Sequence, residues 1–155
     1  MSVVYRKTAF GVIGVEEAGG AVTQVTFGDG AEVSVAGGAT PLIREAFRQL
    51  EAYFRGDLKV FSLPLAPAGT PFQRRVWEVL LTIPYGETAS YGDVAAAAGN
   101  VKAARAVGMA NNRNPVAIVI PCHRVIGADG RLVGSGGGLE LKRRLLELEG
   151  WHGGL

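Results

Sequence analysis

The 155-residue sequence predicts an α+β fold in two lobes, a small antiparallel sheet with one helix followed by a helical lobe. Three observations lead there. Short β-branched runs separated by turn residues fill the first third; Thr-Pro pairs open amphipathic stretches at residues 40 and 70; and two Ala-rich helical stretches abut at Gly99-Asn100.

The strands come first. Val3-Val4-Tyr5, Val12-Ile13-Gly14-Val15 and Val22-Thr23-Gln24-Val25-Thr26-Phe27 are each bounded by Gly or acidic turn residues, such as Gly28-Asp29-Gly30. Thr40-Pro41 supplies an N-cap and a first helical residue, and Leu42, Ile43, Ala46, Phe47, Leu50 and Phe54 follow at helical spacing until Gly56. That helix is expected to cover one face of the sheet. Residues 61–69, rich in Pro and ending in Ala68-Gly69, read as a linker, so the first lobe is placed at 1–66 and the second at 70–155.

The second lobe opens on Thr70-Pro71 with a helix bearing Phe72, Val76, Val79, Leu80 and Ile83 until Pro84 stops it. Ser90 caps a helix from Tyr91 to Ala98 that Gly99 closes, and Asn100 caps another from Val101 to about Asn111. With Lys102 and Arg105 on the second, the pair has the form of a helix-turn-helix; a helical hairpin packed for stability alone fits the spacing equally well. Asn111 to Pro115 then form a turn into an apolar strand, Val116 to Ile120, which ends at Pro121. A Gly-Ser-Gly-Gly-Gly loop, Gly134 to Gly138, precedes a last helix from Leu139 to Glu149, and Gly150 stops it.

Composition narrows the possible functions. With 48% hydrophobic and 19% charged residues the chain is that of a packed domain rather than a disordered one. The apolar run Val116 to Ile120 is far short of the roughly 20 residues of a membrane helix, and the first residues lack a secretory pattern, so a cytoplasmic protein with no membrane partner is expected. One cysteine makes no internal disulfide, and one cysteine with two histidines makes no structural zinc site; neither metal nor cofactor is expected. Residues 1–69 carry six Lys/Arg against seven Asp/Glu, and residues 70–155 ten against seven, a weak bias of the second lobe toward polyanions.

Chemistry concentrates around Cys122. A lone cysteine after an apolar strand is usually a small core hydrophobe, but His123 follows it directly. Adjacent strand residues point to opposite faces, so the two can cooperate only where the backbone turns, as Pro121 favours. A thiol of pKa near 8.5 is only about 3% thiolate at pH 7, so a base within reach gives it most of its reactivity. Glu149 is anomalous because a carboxylate in a last helical turn faces the negative end of the helix dipole. A partner should compensate, and His123 completes a Cys, His and acid relay.

These residues resemble the O6-alkylguanine-DNA alkyltransferases. The resemblance runs through Thr70-Pro71-Phe72, Ile83-Pro84-Tyr85-Gly86-Glu87-Thr88, Ser90-Tyr91, Ala104 to Gly108, Asn114-Pro115, Ile120 to Gly127 with its Pro121-Cys122-His123-Arg124-Val125 core, Gly137-Gly138-Leu139 and Glu149-Gly150. It implies an RNase H-like first lobe and a winged-helix-type second lobe. It also implies direct, stoichiometric and irreversible transfer of an alkyl group from O6 of guanine, less readily O4 of thymine, to Cys122. His123 would draw the thiol proton through a water and Glu149 would hold His123. Asn114 would tie the helix-turn-helix to the active-site strand, and Tyr91 would donate toward the leaving base. Arg105 would fill the gap left by the flipped nucleotide, with Lys102, Arg113, Ser135 and Gly136 as further DNA contacts. The implied partner is double-stranded DNA containing O6-alkylguanine, bound through the minor groove by a monomer. Arg124 is given only a structural or electrostatic role. Members of the family commonly place an aromatic residue at the position of Ser135. A lesion-sensing regulator and a thiol hydrolase with turnover are the competing classes.

Overall fold

The computed structural model describes residues 1–28, 33–35, 38–133 and 138–152. It is a mixed α+β structure with a small antiparallel sheet and several helices. Its contacts divide it into two units, Met1–Ala68 with Pro115–Val119, and Gly69–Asn114 with Ile120–Leu155. Among the described residues no helix is long and apolar enough to cross a membrane.

In the first unit, β1 (Ser2–Thr8), β2 (Gly11–Ala18), β3 (Ala21–Phe27) and β4 (Val33–Val35) form one antiparallel sheet in the order β3-β2-β1-β4. The three strands read from the sequence are present and longer than expected, while β4 is additional. Val4 pairs with Val15 and Val15 with Val25, and all three are buried. Helix α1 (Pro41–Phe54) packs on β2 and β3 through Ile43, Ala46, Phe47 and Leu50, none more than 1% exposed. Thr40 Oγ1 accepts from Ile43 N at its start. At its end Gly56, at φ +82, lets the Gly56 and Asp57 amides return to the Tyr53 and Ala52 carbonyls.

Two expectations change in this unit. The Pro-rich stretch taken as a linker lies along β3, since Val22 donates to Pro64 O at 2.8 Å and Ala66 to Val22 O at 2.9 Å. The strand expected over Val116 to Ile120 does not form. Val116 makes a single bridge to Val25, after which Val119 N turns back to Ala117 O at 2.8 Å and Ile118 adopts φ +72. Val116, Ile118, Val119 and Ile120 are all buried, so the chain curls among apolar neighbours instead of alternating faces. A β-branched residue at positive φ is costly, by about 1–3 kcal/mol, and persists only where packing holds it.

The second unit begins with α2 (Pro71–Leu80), whose capping box is complete: Thr70 Oγ1 accepts from Gln73 N, and Gln73 Oε1 accepts from Thr70 N. Thr70→Ala should cost about 1 kcal/mol, read as a shift of the urea midpoint at constant m-value. The helix ends three residues earlier than the sequence suggested. Pro84 disfavours helical geometry at Ile83, and Thr82 Oγ1 donates back to Val79 O at 2.6 Å. Buried Trp77 ties α2 to the following helices by donating its Nε1 to Ala110 O at 2.9 Å.

A two-residue strand, β5 (Ala89–Ser90), leads into α3 (Tyr91–Ala97). Helix α4 spans Ala104–Asn112, so it starts later than the expected Val101. Asn100 Oδ1 accepts from Lys102 N and Asn100 O from Ala103 N, and these local bonds make residues 100–103 a turn rather than a first helical turn. Lys102 therefore lies before the helix. The chain continues through a 3₁₀ turn (Cys122–Arg124) into β6 (Val125–Ile126), which pairs in parallel with β5, and α5 (Leu139–Leu148) closes the unit.

Candidate active site

The 3₁₀ turn resolves the difficulty of two neighbouring residues meeting one site. At roughly 120° per residue it fans out Cys122, His123 and Arg124 instead of alternating them. Pro121 opens the turn by accepting from Arg124 N at 3.0 Å. Two amides from the preceding segment hold its entry: Asn114 Nδ2 donates to Ile120 O at 2.7 Å and Asn111 Nδ2 to Cys122 O at 3.3 Å. Asn114 thus ties the end of the helix pair to a curled segment, not to the strand expected.

Glu149 is the hub on the other side. It is the C-cap residue of α5, fixed because Gly150, at φ +93, allows its own amide and that of Trp151 to bond the Glu147 and Leu146 carbonyls, each at 2.9 Å. The carboxylate is fully buried. It meets His123 Nε2 at 2.8 Å, and it accepts a fork from Arg124, Nε to Oε1 at 2.8 Å and Nη2 to Oε2 at 2.9 Å. The Gly86 amide adds a fourth contact at 3.2 Å. The guanidinium is completed by Nη1 donating to Ile83 O at 2.6 Å. A carboxylate so compensated keeps its charge at the unfavourable end of a helix.

Electrostatics then define the resting state. Burial pushes the Cys122 thiol above its ordinary pKa; an Asn114 hydrogen bond, the charge of Lys142 and the Cys122 and His123 amides act against it. Burial holds His123 below its ordinary value although Glu149 pulls the other way, so the ring is neutral near pH 7. With Nε2 given to Glu149, Nδ1 is the basic nitrogen. The resting pair is therefore a neutral thiol beside a neutral imidazole, and negative charge on sulfur appears as the thiol reacts. The half-buried Tyr91 has a raised phenol pKa, first from burial and then from the charge of Cys122. Its ring packs beside Gly108, where an added Cβ would make an ordinary contact at 3.7 Å.

The structure thus brings Cys122, His123, Glu149, Asn114 and Tyr91 together in the second unit. Arg105 on α4, Arg113 at its C-cap and Lys102 before it are exposed. Ser135 and Gly136 lie outside the described residues. Among the described residues no three His, Cys, Asp or Glu side chains are grouped as metal ligands.

Sequence reasoning missed several participants. Arg124, given only a structural or electrostatic role, has its guanidinium taken up by Glu149, a partner the sequence did not point to. Tyr85 donates its hydroxyl to Leu148 O at 3.3 Å, and its ring lies 5.8 Å from the Arg124 guanidinium carbon. Asn111 and Lys142 carried no local signal, except that Lys142 sits seven residues before Glu149, on the same helix face.

The family model for the 6-O-methylguanine DNA methyltransferase DNA binding domain matches residues 71–151. The chain is 64% identical over 107 residues to a methylated-DNA--protein-cysteine methyltransferase of Methanosarcina acetivorans, covering 69% of each protein. It is 63% identical over 105 residues to one from Mycobacterium leprae, covering 68% of this chain and 64% of that protein. The matches thus span about two thirds of these relatives. Among solved structures it resembles Mycobacterium tuberculosis O6-methylguanine methyltransferase, with a TM-score of 0.84, 45% identity, and 95% of this chain and 92% of that one covered. It resembles M. tuberculosis OGT in complex with DNA at a TM-score of 0.85 and 45% identity, over 96% and 92% of the two chains. This chain belongs to the methylated-DNA--protein-cysteine methyltransferase family.

Proposed function

We propose that the protein repairs DNA by direct transfer of an alkyl group from O6 of guanine, and less readily from O4 of thymine, to Cys122. The observation that carries this reading is the buried His123–Glu149 pair at 2.8 Å beside the chain's one cysteine. As Cys122 Sγ attacks the alkyl carbon, an S–C bond forms and the C–O6 bond breaks. Its electron pair goes to the purine, and the thiol proton passes through a water to His123 Nδ1. Glu149 orients the ring and stabilises the imidazolium, while Arg124 keeps that carboxylate charged and in place. The Tyr91 hydroxyl, protonated at neutral pH, donates toward the leaving base. Asn114 holds the turn and the sulfur.

The product is a thioether, which has no good leaving group, so one molecule repairs one lesion. The partner is double-stranded DNA carrying the lesion, entered from the minor groove by α4. Arg105 occupies the space vacated by the flipped nucleotide, and Lys102, Arg113, Ser135 and Gly136 supply further contacts. In this reading the first lobe, 1–66, is RNase H-like and the second, 70–155, of winged-helix type, in a cytoplasmic monomer that needs no cofactor.

The test is incubation with duplex DNA labelled in the methyl group of O6-methylguanine. One label per chain, on Cys122, is expected; repeated turnover, or binding without transfer, would favour the hydrolase or the sensor instead. Extrusion of a base costs a few kcal/mol, part of which Arg105 offsets. Arg105→Ala should therefore slow transfer from duplex DNA roughly tenfold, equivalent to about 1.4 kcal/mol, and leave transfer from free O6-methylguanine base unchanged. Equal losses on both substrates would remove the flipping role.

A further inference from the structure

Asn111 is a buried amide whose presence stability does not explain. It sits in the last turn of α4 and is 1% exposed, with Nδ2 donating to Cys122 O at 3.3 Å. Its Oδ1 is enclosed as well and accepts from no donor among the described residues. A buried acceptor left unbonded costs its full desolvation, whereas an apolar side chain of the same shape carries no such cost. An amide at such a site lowers stability, which points to a role for its donor.

That donor reaches the reacting residue itself. The backbone closes an inverse γ-turn at Pro121, with φ −81, ψ 66 and Cys122 N donating to Ile120 O at 2.8 Å. Cys122 O accepts from Val125 N at the far end of the 3₁₀ turn and from Asn111. Asn114, beyond the end of α4, bonds Ile120 O and so holds the approach to the turn. Asn111 differs in belonging to the helix. Its turn of α4 is fixed by Trp77 Nε1, which donates to Ala110 O at 2.9 Å, and Val107 and Ala110 share its buried face. The other face of α4 carries Arg105, Met109 and Asn112, all exposed. One helix thus shows Arg105 to solvent and grips the Cys122 peptide from its inner side.

We propose that Asn111 is a positioning residue for alkyl transfer, fixing the Cys122 peptide to α4 so that a base extruded from DNA on the outer face of that helix meets the sulfur in line. This rests on the reading of Cys122 as the alkyl acceptor and of α4 as the DNA-bound helix. In-line displacement at carbon tolerates little misplacement of the attacking atom, and a shift of about 1 Å can cost about 10²-fold. A small reagent that diffuses to the sulfur chooses its own approach and needs no such registration.

Asn111→Leu keeps the branched shape of the side chain and removes both the bond to Cys122 O and the unbonded acceptor. Its urea midpoint should be no lower than that of wild type. Cys122 is the one cysteine of the chain, so alkylation by iodoacetamide, in which sulfur displaces iodide, reads its reactivity without DNA. That rate, and the mobility-shift affinity for duplex DNA containing O6-methylguanine, should stay within about twofold of wild type. Single-turnover methyl transfer from the same duplex should slow roughly tenfold, a loss in rate and not in binding. An amide with a merely structural role would lower the midpoint, alkylation and transfer together. That common loss, or transfer within about twofold of wild type, would overturn the proposal. Should leucine prove too bulky to fold, Asn111→Ser decides by the same comparison, since its hydroxyl is too short to reach the Cys122 carbonyl. Wild type in the same assay separates this proposal from the repair function. No methyl transfer by wild type would sink that function, whereas normal transfer by wild type with no selective loss in the variants would sink the role of Asn111 alone.

Discussion

Cys122→Ser is expected to bind duplex DNA containing O6-methylguanine as the wild type does and to transfer none of its methyl group. The substitution keeps the size of a small polar side chain and the turn around it, because Asn114, Asn111 and the Pro121 carbonyl all bond the backbone there, and a hydroxyl can keep the hydrogen bond that Asn114 makes with the sulfur. What it removes is the nucleophile. A serine hydroxyl is far more weakly acidic than a thiol, so the neutral imidazole beside it has a much harder proton to draw. Electrophoretic mobility shift measures the binding. Mass spectrometry measures the transfer: wild type should gain one methyl group in place of hydrogen at Cys122, and the variant none. A methyl group on the serine variant, or on another residue of wild type, would end the mechanism.

The second large effect is at Glu149. Removing its carboxylate by Glu149→Ala leaves Arg124, whose side chain is 9% exposed, and the buried His123 without their shared partner. Breaking a buried ion pair from one side costs about 3–5 kcal/mol, because the remaining charge stays desolvated. Chemical denaturation should show that loss, a large share of the stability of a domain this size. Glu149→Gln keeps the shape and an acceptor for one donor, so it should fold better and isolate the chemical role. Single-turnover transfer should fall by about 10²-fold, the lower end of what a positioned proton acceptor contributes. Transfer and stability both within twofold of wild type would show that the carboxylate neither orients His123 nor anchors the turn.

Much of the fold was legible because it is encoded locally. Thr40, Thr70 and Ser90 cap their helices as read, since each side-chain oxygen has only to reach an amide three residues ahead. The first three strands were legible because each is a short β-branched run closed by turn residues, a signal that lies within the run itself. Local reasoning failed where two local signals compete. Asn100 reads equally as a helix cap and as a turn former, and the turn prevailed, so α4 begins at Ala104. Val116 to Ile120 reads as a strand by composition, yet its partners within the first unit give it one bridge and then a reversal at Ile118.

The sequence by itself singled out the candidate residues: a lone thiol, an imidazole beside it, and a carboxylate placed where its own helix disfavours it, an anomaly that demanded a partner. Tertiary structure alone decided how that demand was met. Glu149 lies 25 residues from Arg124 and 63 from Gly86, and Arg124 lies 41 from the Ile83 carbonyl. No helical or strand period spans such separations. Only closure of the chain brings these groups into a shared region from which water is largely excluded, where each charge must find another, and so the fold turned three suggestive residues into a connected electrostatic network.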